Sequence, residues 1–414
     1  MSGEIEDRLA AISNRGLYRR TRCVSGPQGP RVLLDGKPVL LLCSNNYLGL
    51  ADHPRVREAA AEAAMRYGAG AGASRLVSGN MRIHRRLEEQ LADFKGSDAC
   101  LLFGSGYLAN TGVVSTLARE GDVVFSDALN HASIVDGCRL ARAETFVYRH
   151  LDMDHLEWGL RQAEGRGSLI VTDGVFSMDG DVAPLEEIVE LAGRYDARVM
   201  VDEAHGTGVL GTTGRGTVAA AGLDGEVDLI VGTLGKALGS YGAYVCCDQP
   251  MARYLTNTAR TLIFSTALPP PAVAAAMAAL ELLREQPRRV EKLQRNAAAL
   301  RAALAERGVP VREGETPIVP LIVGDPGRAV AACERALARG VFAQAIRPPT
   351  VPPGSSRLRL AVMAPHTKSE LREAAEVLAA AVPAGPPTSG APEQDQRESD
   401  AAPRRVFDGL RDAA

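Results

Sequence analysis

A lysine in a glycine-rich turn is the residue of this chain most suited to covalent chemistry. Lys236 lies in TLGKALG (233–239), beside Gly235 and after the apolar run VDLIVG. The chain has five lysines against forty-two arginines, so a lysine retained here calls for a chemical explanation. Arginine stays charged, whereas a desolvated lysine can lose its proton and attack a carbonyl carbon. An ordinary surface lysine at a turn is the alternative at this point.

Four other loops carry residues that are suited to holding a planar, phosphorylated cofactor. Gly106 and Tyr107 lie in the turn GSGY, whose backbone amides can bind a phosphate. His131, in SDALNHAS, has a flat ring that can stack on a planar ligand, and Ser177, in DGVFSMDG, offers a hydroxyl. Asp202 begins DEAHGTG, where a carboxylate can keep a heteroaromatic nitrogen protonated. Taken singly, each can also be an ordinary turn or helix-cap residue.

Together with His205 and Lys236, these residues favour pyridoxal phosphate as the cofactor. The lysine can form a Schiff base with it, and the aspartate keeps the ring nitrogen charged so that the ring can absorb electrons. A separate cluster, HLDMDH (150–155), brings histidines and aspartates together. We interpret this cluster as a helix N-cap rather than a metal site, so no metal is predicted.

Seven short apolar runs, most of them separated by helical stretches, predict the framework that positions these loops. The runs are ACLLF (99–103), DVVF (122–125), TFVY (145–148), SLIVT (168–172), RVMV (198–201), DLIVG (228–232) and AYVCC (243–247). Continuous apolar runs that alternate with helices indicate an α/β fold with a mostly parallel sheet covered by helices on both faces. Because such a sheet binds its ligand at the carboxyl ends of the strands, we expect the polar loops to meet at one edge.

Outside this framework the pattern changes. An amphipathic helix is predicted over residues 5–20, two short strands flank Asp35–Gly36, and a helical stretch continues to about residue 306 before a smaller α+β pattern. Four regions are therefore predicted: an N-terminal helix and arm (1–50), a large cofactor-binding α/β domain (51–281), a small α+β domain (282–384) and a disordered tail (385–414).

The composition excludes several classes of protein. The chain is 46% apolar and 23% charged with a net charge of −3, which fits a globular enzyme and argues against nucleic-acid or membrane binding. The polar N-terminus does not resemble a signal peptide, and no apolar run is long enough to span a bilayer. Seven scattered cysteines without C-x-x-C spacing indicate a reducing compartment, so we expect a cytoplasmic location.

Five longer motifs together resemble the α-oxoamine synthases, a family of fold-type I pyridoxal phosphate enzymes. The motifs are SNNYLGL (44–50), NHAS (130–133), FSMDGDVAPL (176–185), VDEAHGTGVLG (201–211) and TLGKALG (233–239). The resemblance covers roughly residues 15–382. It implies a transferase that condenses an amino acid with an acyl thioester and releases CO2, with a large domain and a smaller C-terminal domain.

The resemblance also implies roles for the matched positions. Lys236 becomes the Schiff-base lysine, Asp202 pairs with the pyridine nitrogen, and His131 stacks on the ring. These three are the implied catalytic residues. Ser177 and His205 contact the phenolic oxygen of the cofactor.

Further matched positions are implied to bind the cofactor phosphate and the substrates. Gly106 and Tyr107 lie by the phosphate, and Thr233 reaches the phosphate of the partner subunit's cofactor, because the family's active sites lie at a homodimer interface. Arg359 resembles the arginine that grips the amino-acid carboxylate. The remaining implied substrate contacts are Arg19, Asn45, His131 and Thr350.

The segment IRPPTVPPGSSRLRL (346–360) most resembles the biotin-pathway branch of the family. This implies L-alanine and a pimeloyl thioester, carried by coenzyme A or by acyl carrier protein, as the substrates. Three alternatives stay open: a family member that uses glycine or serine with another acyl donor, an aminotransferase of the same fold, and a non-catalytic homologous subunit.

Overall fold

The computed structural model describes residues 2–382 of the 414 in the chain, and the predicted tail 385–414 lies outside these described residues. In chain order the strands are β1 (Val24–Ser25), β2 (Arg31–Leu34), β3 (Lys37–Leu41), β4 (Ala99–Phe103), β5 (Val123–Asp127), β6 (Glu144–Tyr148), β7 (Ser168–Asp173), β8 (Arg198–Asp202), β9 (Leu229–Thr233), β10 (Ala243–Cys247), β11 (Ile318–Gly324), β12 (Val341–Phe342), β13 (Gln344–Ile346) and β14 (Ser356–Ala361). The helices are α1 (Ser2–Asn14), α2 (Pro54–Tyr67), α3 (Arg82–Lys95), α4 (Gly106–Leu117), α5 (Ala132–Leu140), α6 (Met153–Gln162), α7 (Leu185–Arg194), α8 (Thr217–Ala220), α9 (Gln249–Thr258), α10 (Arg260–Ile263), α11 (Pro270–Glu285), α12 (Arg288–Ala305), α13 (Pro326–Ala338) and α14 (Lys368–Ala381), and a π-helical turn spans Arg75–Gly79.

A seven-stranded sheet forms the centre of the larger compact unit, residues 45–294. Its strand order is β4-β10-β9-β8-β7-β5-β6, and all neighbours pair in parallel except those of β10, which runs opposite to both β4 and β9. Six strands therefore point the same way. Each of the seven predicted apolar runs forms one of these strands, so the predicted mostly parallel sheet is confirmed.

The residues of the central strands explain why the sheet is covered on both faces. Every residue of β5, β7 and β10 is buried, including both side-chain orientations along each strand. A strand that is apolar on both faces is stable only where helices cover both. In the core, Val124, Val171 and Met200 pack with residues of α4 and α5, such as Val113 and Ile134.

The smaller compact unit combines residues 2–44 with residues 295–382. It holds the antiparallel sheet β11-β14-β13 and a second sheet, β1-β2-β3-β12. Strand β3 pairs in parallel with β12, where Leu40 N donates to Gly340 O at 2.8 Å and Leu42 N donates to Phe342 O at 2.9 Å. The compact units thus divide the chain differently from the predicted domains, because backbone pairing joins the N-terminal arm to the C-terminal segment.

Two predicted helices have different ends from those expected. Helix α1 ends at Asn14 rather than near residue 20, because Gly16 adopts a left-handed conformation (φ 67°) that closes the helix. The long helical stretch before residue 306 is two helices, α11 and α12, interrupted at Pro287, which lacks a backbone donor. Within the described part of the chain, no helix has the length and apolarity needed to cross a bilayer.

Candidate active site

Five polar loops follow the carboxyl ends of strands that run in the same direction, and all five belong to the larger unit. Gly106 and Tyr107 follow β4, His131 follows β5, and Ser177 follows β7. Asp202 and Thr233 are the last residues of β8 and β9, and His205 and Lys236 lie in the loops that follow them. The shared strand direction puts these loops at one edge of the sheet, where a parallel sheet binds its ligand.

Lys236 lies at one end of a chain of hydrogen bonds. Its Nζ is 2.7 Å from His205 Nε2, and His205 Nδ1 is 2.6 Å from the hydroxyl of Tyr47. That hydroxyl donates to Asn45 Oδ1 at 3.3 Å. The Tyr47 hydroxyl donates to the amide oxygen of Asn45, so the chain of contacts runs from Asn45 through Tyr47 and His205 to the lysine.

Asp202 is held by two donors at the end of β8. Asn110 Nδ2 donates to Asp202 Oδ2 at 2.6 Å, and the backbone amide of Ala204 donates to Oδ1 at 2.8 Å. The aspartate side chain is buried. A carboxylate fixed in this way is oriented before any ligand arrives.

The same asparagine connects Asp202 to His131. Asn110 Nδ2 also donates to Ser133 Oγ at 2.9 Å, and Ser133 Oγ lies 2.7 Å from His131 Nδ1. The backbone amide of Ser133 also donates to His131 Nδ1 at 3.3 Å, so Nδ1 is an acceptor and the ring proton is on Nε2. Burial lowers the pKa of His131, and the nearby charge of Lys236 lowers it further, although Asp202 opposes both. A neutral imidazole is suited to stacking on a cationic ring.

Asp173 ends β7 directly opposite Asp202 in the register of the two strands. Its Oδ2 accepts a hydrogen bond from the backbone amide of His131 at 2.9 Å. Burial raises the pKa of Asp173 well above its usual value, and the charge of Asp202 raises it further. Asp173 was not among the predicted site residues, although it begins the DGVFSMDG loop that holds Ser177.

The start of α4 offers backbone donors. Ser105 caps this helix by accepting from Leu108 N at 3.2 Å, and Gly106 and Tyr107 are its first two residues. No atom of the described residues lies within 4 Å of the Cβ that a side chain at Gly106 would add. The Tyr107 hydroxyl donates to Asp136, which raises the pKa of this phenol and fixes the ring at the helix start. Free amides at a helix N-terminus are suited to binding a phosphate.

The TLGKALG loop is held in a tight conformation. Thr233 Oγ1 donates to Gly242 O at 3.1 Å and accepts from Gly235 N at 3.1 Å. Gly239 has φ 59°, and a Cβ at this position would lie 2.4 Å from Ala51 N. Glycine at 239 is therefore required by both the backbone conformation and the close approach.

Arg359, Thr350 and Arg19 belong to the smaller unit. Arg359 is buried in β14, where it pairs with Pro320 and Gln344 on the neighbouring strands. Thr350 and Arg19 are exposed, the first in a turn and the second in the extended segment after α1.

A cavity of about 730 Å³ in this smaller unit is lined by Arg20, Arg22 and Arg347, among others, but Arg19 is not part of the lining. Arg22 is paired there with Asp35 and with Glu334. The substrate contact assigned to Arg19 has no support from this cavity.

Sequence reasoning missed the residues that orient the predicted ones. They are Tyr47, Asn110, Ser133 and Asp173. A signal was present for each of them, since Tyr47, Ser133 and Asp173 lie within SNNYLGL, NHAS and DGVFSMDG, and Asn110 lies one helical turn after Gly106 in GSGYLAN. The contact of Asn110 with Asp202 joins residues that are far apart in sequence and needs the folded sheet.

The residues present fit pyridoxal phosphate. The site combines a lysine amine, a fixed buried carboxylate, a neutral imidazole, a second histidine on the lysine and open amides at a helix start. In addition, Asn110 Oδ1 is buried without a hydrogen-bond partner beside Asp202. Such a donor and acceptor set suits a cationic heteroaromatic ring that carries a phosphate.

Comparisons with known proteins agree with this geometry. The family model for class I and II aminotransferases matches residues 37–378. An 8-amino-7-oxononanoate synthase of Geobacter sulfurreducens is 52% identical over 382 residues, which cover 92% of this chain and 98% of the relative.

Two solved structures are similar over most of their length. A serine palmitoyltransferase from S. paucimobilis with bound PLP-myriocin has a TM-score of 0.87 at 33% identity and covers 91% of this chain and 96% of its own. An 8-amino-7-oxononanoate synthase from Francisella tularensis has a TM-score of 0.72 at 27% identity, with 83% and 97% covered. These similarities confirm the predicted fold-type I transferase fold. The chain therefore belongs to the aminotransferase class I and II family and, within it, to the α-oxoamine synthases.

Proposed function

We propose that this chain is a pyridoxal phosphate-dependent acyltransferase that makes 8-amino-7-oxononanoate in biotin biosynthesis. It condenses L-alanine with a pimeloyl thioester, of coenzyme A or acyl carrier protein, and releases CO2 and the free thiol. The near full-length identity of 52% to a relative of that name supports this reaction. In the structure, the observation that carries the proposal is the 2.7 Å contact between Lys236 Nζ and His205 Nε2.

The site residues divide the work of this reaction. Bound pyridoxal phosphate supplies an electron sink for the bonds at Cα of the amino acid. Lys236 Nζ holds the cofactor and, once released from it, takes the α-proton of alanine as general base. His205 Nε2 keeps this amine in a fixed direction, and the buried carboxylate of Asp202, held by Asn110, offers an anion to the ring nitrogen.

The remaining assignments rest on the resemblance. The ring of His131 stacks on the cofactor, Ser177 and His205 contact its phenolic oxygen, and Gly106 and Tyr107 bind its phosphate through backbone amides. Arg359 binds the carboxylate of the amino acid. The other substrate contacts are Asn45, Thr350 and Arg19.

The protein acts as a cytoplasmic homodimer in this proposal, and Thr233 contacts the phosphate of the partner's cofactor. Several large apolar side chains of the larger unit are exposed and support a second copy as the partner. They are Leu76, Val77, Tyr241 and Phe264. Light scattering after size-exclusion chromatography measures the assembly, and a monomer at micromolar concentration would contradict it.

The amino-acid substrate decides between this reaction and its nearest alternative. Structures of serine palmitoyltransferases, 33% identical in the S. paucimobilis example, are among the similar folds, so a family member that uses serine is the second candidate. Purified protein is incubated with pyridoxal phosphate, pimeloyl-CoA and either L-alanine, glycine or L-serine, and the products are identified by mass spectrometry. We expect 8-amino-7-oxononanoate from L-alanine at the highest kcat/KM; a higher kcat/KM with glycine or serine would contradict the proposal.

A further inference from the structure

Lys95 is another lysine that this arginine-rich chain retains, and it lies inside the protein. It is the last residue of α3, and its side chain is 3% exposed. A lysine at the end of a helix usually stays in water, where it interacts favourably with the helix dipole. Burial lowers the pKa of Lys95, although the nearby carboxylate of Glu203 opposes this.

The Lys95 amino group donates to two acceptors on the loop that follows β8. Its Nζ lies 2.9 Å from Thr207 Oγ1 and also donates to the carbonyl oxygen of Arg215. Thr207 Oγ1 lies 2.8 Å from the hydroxyl of Tyr244, which is fully buried in β10. Arg215 is tied to the same helix end, because its Nε donates to Phe94 O at 2.8 Å. The C-terminus of α3 therefore anchors this loop at two points.

The anchored residue is close in the chain to the histidine that contacts the reacting lysine. Thr207 comes two residues after His205, whose Nε2 is 2.7 Å from Lys236 Nζ. At Gly208, φ is 75° and an added Cβ would lie 2.5 Å from Cβ of Ala237, the residue after Lys236. The turn packs without spare volume against the TLGKALG loop, so a shift of Thr207 shifts His205 relative to Lys236.

The two acceptors explain why lysine is retained at position 95. The ε-amino group of lysine is compact, and its N–H donors can reach a hydroxyl and a carbonyl together in a small space. A guanidinium is larger and planar and has five donors to satisfy, so arginine would leave donors unpaired in this buried site.

We propose that Lys95 is a positioning residue: its buried amino group fixes Thr207 and thereby holds His205 Nε2 against Lys236 Nζ. The inference rests on the proposed function in so far as Lys236 is the amine that binds the cofactor. Lys95 touches neither substrate nor cofactor in this account.

The test variant is Lys95→Met, which keeps the side-chain length but removes the N–H donors. The matched control is Lys37→Met, at an exposed lysine of β3. The cofactor-loaded protein is titrated with acid and base while the visible band of the cofactor is recorded. We expect Lys95→Met to shift the midpoint of this titration and to lower kcat about tenfold, with KM changed less than about twofold. Lys37→Met leaves the midpoint and kcat unchanged.

A double-mutant cycle separates positioning from general loss of stability. Lys95→Met is combined with His205→Asn. The shift of the titration midpoint in each single variant is compared with the shift in the double variant. If Lys95 acts through His205, Lys95→Met causes no further shift of the midpoint in the His205→Asn background. Equal shifts in both backgrounds, or a lower melting temperature with an unchanged midpoint, would overturn the proposal. Thr207→Val removes the same contact from the other side and replaces Lys95→Met if that variant does not fold.

The spectroscopic readout needs no acyl substrate, so the two proposals fail separately. Wild-type protein that binds pyridoxal phosphate but makes no product from L-alanine and pimeloyl-CoA would reject the proposed reaction, while the midpoint would still test Lys95.

Discussion

Two loops that follow neighbouring parallel strands are held in place by different physical means. After β7, the loop 173–183 is linked through His150 to Asp127, the last residue of β5. His150 Nδ1 lies 2.9 Å from Asp127 Oδ1, and His150 Nε2 lies 3.4 Å from Asp181 Oδ2. After β8, the loop 202–216 is held by the carboxylate of Glu203, which accepts from Thr217 N at 3.0 Å and Val218 N at 2.9 Å.

The two supports differ in their exposure to solvent. The side chain of His150 is 22% exposed, whereas Glu203 is 0% exposed. The His150 ring also packs edge-on against Phe176, with centroids 4.4 Å apart. The loop that carries Ser177 therefore depends on a charge that titrates, and the loop that carries Asp202 and His205 depends on close packing around a buried acceptor. pH should disturb the first loop, and added volume should disturb the second.

The largest effect is expected from added volume beside Glu203. A Cβ at Gly206 would lie 1.9 Å from Glu203 Oε2, so Gly206→Ala displaces the carboxylate from the two amides that it accepts from. We expect a loss of about 3 kcal/mol in the free energy of unfolding, measured with urea, from overpacking and broken charged hydrogen bonds.

Gly193→Ala is the matched control for this substitution. A Cβ at Gly193 meets no atom of the described residues within 4 Å, and the position lies in α7, where alanine is the better helix former. We expect unchanged or slightly higher stability. If Gly206→Ala were as stable as Gly193→Ala, the packing of the loop after β8 would be less tight than described.

A smaller, pH-dependent effect is expected at His150. Burial lowers the pKa of His150, but hydrogen bonds to Asp127 and Asp181 outweigh burial and raise it from 6.5 to about 9. Because the folded-state pKa is raised, the stabilisation is fully present below about pH 6.5 and is lost as the pH rises through about 9. His150→Gln should cost about 2 kcal/mol at pH 6 and much less at pH 10, measured by urea unfolding at both values.

His155→Gln tests whether this pH dependence comes from the contacts of His150 with Asp127 and Asp181. His155 is in the same HLDMDH segment, but burial and the charge of Arg149 lower its pKa, so it is neutral throughout the alkaline range. Its replacement should have the same effect at pH 7 and at pH 10. A His150→Gln deficit that is equally large at pH 10 would show that the ring acts by packing rather than by charge.

The smallest effect is expected at the helix start in the same segment. Asp152 Oδ1 accepts from His155 N at 2.8 Å and caps α6, as the sequence predicted. Asp152→Ala should lower the unfolding free energy by about 1 kcal/mol. Zinc or magnesium should not change the melting temperature of the wild type; an increase caused by either ion would contradict the cap interpretation.

The sequence predicted the sheet well because its signals are local. Each apolar run such as SLIVT or RVMV is long enough to define a buried strand, and glycine-containing loops after the runs locate the strand ends. The end of α1 was predicted too late, because the pattern continues past Gly16 while the left-handed backbone there is visible only in the structure.

The contacts that orient the site depend on the fold and could not be predicted in this way. Lys95 and Thr207 are 112 positions apart, and Asn110 and Asp202 are 92 positions apart. Residue type alone indicated that Lys236 was unusual, but residue type did not distinguish Lys95 from the other lysines. Its importance comes from burial, which the last position of an amphipathic helix does not reveal.

The most direct test of the account is to locate the lysine that binds the cofactor. Protein loaded with pyridoxal phosphate is reduced with borohydride, digested and mapped by mass spectrometry, with Lys236→Ala as the comparison. We expect one phosphopyridoxyl group, on Lys236, and neither the label nor turnover in Lys236→Ala, whose urea midpoint stays close to that of the wild type. A label on any of the other four lysines, or turnover by Lys236→Ala, would contradict the central claim.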